Sequence, residues 1–109
     1  MSPEAAQANE RILAQLEGYG GGYVWESEIF AVMLIDVAIQ DQQAASLCGL
    51  TGVEQIALNA SRLAFTTVQS IASIPGLQSL VLSGMILTEG QRVLLDRLGP
   101  KVEVISDVA

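Results

Sequence analysis

Three consecutive stretches of the chain, 29–52, 53–76 and 77–100, align without a gap as copies of one 24-residue unit. Six columns are apolar in every copy: Ile29/Val53/Leu77, Val32/Ile56/Leu80, Leu34/Leu58/Leu82, Ile39/Leu63/Leu87, Leu47/Ile71/Leu95 and Leu50/Ile74/Leu98. Half of all residues are hydrophobic. Eighteen such matches would then arise by chance about four times in a million, before any correction for the choice of columns. A short unit that recurs at a fixed period cannot bury its apolar face alone and must stack on its neighbours. Such stacks present extended surfaces, which favours binding over catalysis.

Each copy carries its own punctuation. Its first, fourth and sixth residues form an L-x-x-L-x-L pattern: Ile29-Val32-Leu34, Val53-Ile56-Leu58 and Leu77-Leu80-Leu82. The alternation of the last two places them on one face of a short strand. Leu47/Ile71/Leu95 and Leu50/Ile74/Leu98 are three apart, the spacing of a buried helical stripe. Ile39/Leu63/Leu87 bridge strand and helix from the connecting loop. Thr66-Thr-Val-Gln69 and Thr88-Glu-Gly-Gln91 read as capping boxes, and Asp41 as the helix cap of the first copy. Thr51-Gly52, Pro75-Gly76 and Gly99-Pro100 mark the turns back into strand.

The flanks read as caps. Ser2-Pro3-Glu4 opens a helix with proline at its first position. Ala5, Ala8, Ile12 and Leu16 form its stripe, and Gly18 stops it. Gly20-Gly21-Gly22 then turns into Tyr23-Val24-Trp25, a short extra strand, and Val102–Ile105 supplies a last one. The expected organisation is one domain: residues 1–28 as helical cap and Gly-rich turn, 29–100 as three repeats, and 101–109 as a C-terminal capping strand.

With L-x-x-L-x-L at this period followed by a helix, the chain resembles a leucine-rich-repeat protein of the ribonuclease-inhibitor-like kind. More narrowly it resembles the short bacterial leucine-rich-repeat proteins, through Ile12–Gly18, Gly21-Gly22, the three repeats and Pro100-Lys-Val-Glu-Val104. The resemblance implies an α/β fold: a short right-handed solenoid, with a parallel sheet on one face, helices on the other and caps at both ends. The family's usual threonine, asparagine or cysteine at the ninth position is replaced here by Val37, Ser61 and Met85. Its Thr-Asp-x-Gly-Leu after the strand survives only as Thr88-Glu89-Gly90. The loops after the strands are therefore expected to depart from the family conformation. A shared fold fixes no function by itself.

Charge and residue content exclude several classes. Twelve acidic against five basic side chains give a net charge of −7, which disfavours nucleic acid and anionic membranes as partners. The longest apolar run, about Ile29 to Ile39, contains Asp36 and is too short to cross a bilayer. The opening Met1-Ser-Pro-Glu lacks the regions of a signal peptide, so a cytoplasmic location is expected. The single cysteine, Cys48, has no partner for an internal disulfide and is expected partly buried and inert. The chain has no histidine, which removes every Ser-His or Cys-His arrangement and the commonest metal ligand. No cofactor and no enzymatic activity are expected.

In a repeat architecture of this kind the residues between the core columns line the open sheet face. They include Phe30, Met33, Ile35, Glu54, Ala57, Asn59, Gln78 and Val81. Met33-Ala57-Val81 form an apolar ribbon, read as a protein-contact patch strengthened by Phe30 and Ile35. The alternative is that the N-terminal segment or Tyr23-Val-Trp25 folds over it. Trp25 and Tyr23 are read first as seals on the first repeat and second as binding anchors. Glu26, Glu28 and Asp36 lack the further ligands that a metal would need. Arg97 and Lys101 are placed to complement a helix C-terminus. The expected function is a non-catalytic protein–protein interaction module. The alternatives are a self-associating protein, as a homodimer, or a small accessory subunit of a larger enzyme.

Overall fold

The computed structural model describes residues 3–18, 22–26 and 29–105. Helix α1 (Pro3–Gly18) leads to strand β1 (Gly22–Glu26). Three strand–loop–helix units follow: β2 (Ile29–Ala38) with α2 (Asp41–Ala45) and a 3₁₀ turn at Ser46–Gly49; β3 (Gln55–Asn59) with α3 (Phe65–Ala72); and β4 (Ser79–Ser83) with α4 (Glu89–Asp96). Strand β5 (Lys101–Ile105) closes the series.

The five strands form one sheet in the order β1-β2-β3-β4-β5, the order of the chain. β1 runs antiparallel to β2, and β2 to β5 are mutually parallel. Parallel neighbours need a crossover between them, and each unit's loop and helix supply it. The result is a mixed α/β protein with an open sheet.

The repeat columns coincide with the sheet register. Val32, Ile56, Leu80 and Val102 align across the four parallel strands, and so do Leu34, Leu58, Leu82 and Val104. Except for the half-buried Val104 they are buried, as are Leu47, Ile71 and Leu95 from the helix layer. Backbone bonds to the carbonyl at one repeat position tie the units together in a staircase. The Glu54 N–H donates to Phe30 O at 2.9 Å, Gln78 N–H to Glu54 O at 2.8 Å, and Lys101 N–H to Gln78 O at 2.8 Å. Gly52, Gly76 and Gly99 turn the chain at φ of +81°, +83° and +114°, backbone that favours glycine.

Several expectations are corrected. Leu98 is 40 % exposed, whereas its counterparts Leu50 and Ile74 are buried; each counterpart has a following unit to cover it. α3 begins at Phe65 with Ala64 as its N-cap, so Thr66 lies inside the helix and forms no capping box. The box at Thr88 is present: Gln91 N–H donates to Thr88 Oγ1 at 3.1 Å, and Thr88 N–H to Gln91 Oε1 at 3.0 Å. Gln40, not Asp41, is the N-cap of α2. In α1 the buried residues are Asn9 and Leu13, with Ala8 and Ile12 half-buried beside them. The stripe is thus turned by one residue from Ala8/Ile12; the side chains of Ala5 and Leu16 lie outside the described residues. The side chain of Val37, and all of Gly20–Gly21, also lie outside them.

Candidate protein interface

Strand pleating presents alternate residues on the sheet face away from the helices. One row there is Met33–Ala57–Val81–Glu103, matched strand to strand by the register. The row Ala31–Gln55–Ser79–Lys101 runs on one side of it, and Asn59–Ser83–Ile105 on the other. Met33 is 47 % exposed and Val81 is half-buried, while Ala57, the smallest of the three, is screened between its neighbours. The row expected as a ribbon is therefore exposed only at Met33 and, in part, at Val81, with Ala57 buried between them; Gln55, Ser79, Asn59 and Ser83 border it.

α1 does not lie over this ribbon. It packs at the start of the helix layer, with the Ile12 Cδ1 methyl 3.0 Å from where a Cβ on Gly49 would stand. Leu13 joins the main core. Asn9, only 4 % exposed, makes two bonds of 2.8 Å to the backbone of Thr51, one given to its carbonyl and one accepted from its N–H. β1 extends the sheet beside β2, from Gly22↔Met33 to Glu26↔Ile29, and so stands at the ribbon's end.

The remaining candidates separate. Phe30 is buried in the core and does not belong to the face. The long β2 is regular from its start, so alternation back from Val32 turns Phe30 inward. Glu54 and Gln78 occupy the equivalent position in the next two units, one residue ahead of β3 and β4. Glu54 is half-buried and Gln78 exposed. The Asn59 Oδ1 accepts from the Ser61 N–H at 3.1 Å and so closes the turn after β3. The side chains of Ile35, Asp36, Tyr23, Trp25 and Glu26, and all of Glu28, lie outside the described residues.

Among the described residues no group of three or more His, Cys, Asp or Glu side chains converges as a metal site, and no helix is long and apolar enough to cross a membrane. Arg97 is the C-cap of α4, where its charge complements the helix dipole. Cys48 is exposed rather than partly buried, yet desolvation raises its thiol pKa, which suppresses the reactive thiolate.

An apolar region not anticipated from the sequence lies at the far end of the sheet. A groove of about 400 Å³ runs between the loop after β4 and the end of β5, lined by Gly84, Met85, Ile86, Leu87, Arg92, Val104 and Ile105. Ile86 is 95 % exposed and Ile105 45 %. The signal for Ile105 was available, since alternation along β5 places it with Lys101 and Glu103 on the outer face. Comparison with known proteins gives no matching family model, no matching curated relative and no matching solved structure.

Proposed function

We propose that this chain is a short leucine-rich-repeat solenoid that binds another protein, without catalysis, through the open face of its sheet. The observation that carries this reading is the registered row Met33–Ala57–Val81 with α1 packed elsewhere. An apolar centre within a polar border is the usual anatomy of a protein interface. The acidic balance of the chain favours a partner whose contacting surface is neutral or basic.

Partner capture from the native source tests this with the folded variant Met33→Glu/Val81→Glu beside the wild type. Both side chains point away from the core, so circular dichroism should show the fold intact. A stoichiometric partner held by the wild type and lost by the variant supports the proposal. Equal recovery by the two overturns the ribbon as the interface.

A further inference from the structure

Among the described residues β5 is the last strand of an open sheet. Its inner edge is taken: Lys101 donates its N–H to Gln78 O at 2.8 Å, and the pairing runs from Ser79↔Lys101 to Ser83↔Ile105. Backbone groups alternate sides along a strand, so those of Val102 and Val104 point outward, away from β4. An edge with aligned outward donors and acceptors is a template for another strand.

The charges of this end say which strand. From residue 84 onward the sequence carries Glu89, Asp96, Glu103 and Asp107 against Arg92, Arg97 and Lys101, a balance of −1 in a chain of net charge −7. A second copy meets the least repulsion here. We propose that two copies of the chain pair antiparallel through β5, about a two-fold axis at Val102, to form one continuous sheet. In that register Val102 and the partner's Val102 exchange both backbone bonds. Each Val104 N–H faces the carbonyl of the partner's Pro100. Lys101 lies opposite the partner's Glu103, and the pairing recurs by symmetry. A register centred on Glu103 also pairs the edge groups, but it sets the two Glu103 carboxylates against each other, which is destabilising.

The helix layer repeats this self-complementarity. Val68 and Ala72 of α3 are buried, whereas Arg92 and Asp96, their counterparts on α4, are exposed. At the Arg92 position the two earlier counterparts, Ala44 and Val68, are both buried, so this side of α4 faces the open end. The Asp96 position differs, because Cys48 is exposed in the first unit as well. Arg92 also lines the groove beside Val104 and Ile105. Antiparallel copies of α4 bring Arg92 toward the partner's Asp96. They also begin to cover Leu98, whose side lacks a following unit.

Sedimentation equilibrium of the full chain tests the proposal, with Lys101→Glu and Glu103→Lys measured alone and mixed. Both residues are exposed, so the fold is retained. The wild type is expected to dimerise by on the order of 0.1 mM. Each single variant should weaken the dimer roughly thirty-fold, by turning two attractions into two repulsions. An equimolar mixture should restore dimer, because each variant's strand then meets the opposite charge. A monomeric wild type, or variants that dimerise as well as it does, overturns the proposal. So does loss of the dimer in Met33→Glu/Val81→Glu, which would place the seam on the ribbon.

Discussion

The Asp41 carboxylate accepts a hydrogen bond of 2.8 Å from the backbone N–H of Ala64, twenty-three residues along the chain. Asp41 belongs to α2, and Ala64 is the N-cap of α3. The carboxylate thus serves the helix start of the following unit, and the Thr67 side chain adds a second bond to it. These bonds hold the Asp41 pKa below its ordinary value, the Ala64 bond more than the Thr67 bond, with a slight opposing effect of desolvation.

A depressed carboxylate pKa contributes stability above the unfolded value of about 3.9 that is lost as pH falls through the lower folded value. Asp41→Asn should therefore flatten the acid limb of the stability curve below about pH 4. Thermal melts of both proteins between neutral and strongly acid pH would show it; parallel curves would mean that the bond does not form in solution.

Asn9 makes two side-chain bonds to Thr51 from a buried position. Asn9→Ala should cost about 1–2 kcal/mol in urea unfolding, because it removes two part-buried hydrogen bonds to the Thr51 backbone. Asn9→Asp should be worse at neutral pH, since a carboxylate has no donor for the Thr51 carbonyl.

Ile74 and Leu98 occupy the same repeat column in different surroundings. Ile74→Ala removes a buried side chain and should cost about 2–4 kcal/mol. Leu98→Ala, at a 40 % exposed site, should cost less than about 1 kcal/mol in the monomer. Equal losses would show that Leu98 is covered in solution, as pairing through β5 requires. The measurement is therefore best made at high dilution and repeated at high concentration.

Gly76 and Gly84 both have positive φ, +83° and +71°. A Cβ on Gly76 meets nothing within 4 Å, whereas one on Gly84 stands 2.9 Å from Ser61 Cβ. Gly76→Ala should cost about 1 kcal/mol from backbone strain alone. Gly84→Ala should cost more than that, because the Asn59–Ser61 turn must also shift. Denaturant melts of the pair would separate the two effects.

Period and parity made the architecture legible in advance. The apolar columns located the strand of each unit and the neighbourhood of its helix, because repeated burial leaves a repeated pattern. But Leu50, Ile74 and Leu98 fall beyond the helix ends, and Leu47 lies in the 3₁₀ turn after α2. What stayed hidden depended on contacts between units. Nothing local marks Asn9 as a buried bonding group or sends the Asp41 carboxylate to another helix. Phe30 was misassigned because its column is polar in the other copies, Glu54 and Gln78; only the length of β2 shows that it turns inward. The ribbon was legible, since it needs parity alone. The groove beside Ile105 was not, because it forms where the repeats end.

Strand order that follows chain order has a consequence for how such a molecule can change. Among the described residues each strand of β2 to β4 pairs only with the one before and the one after, so a further copy spliced between Gly76 and Leu77 would find a strand edge on both sides. It would lengthen the sheet by one strand and the ribbon by one side chain, and leave α1 and β5 in place. Reach, in this architecture, is a quantity that gene duplication can adjust without invention of a new core.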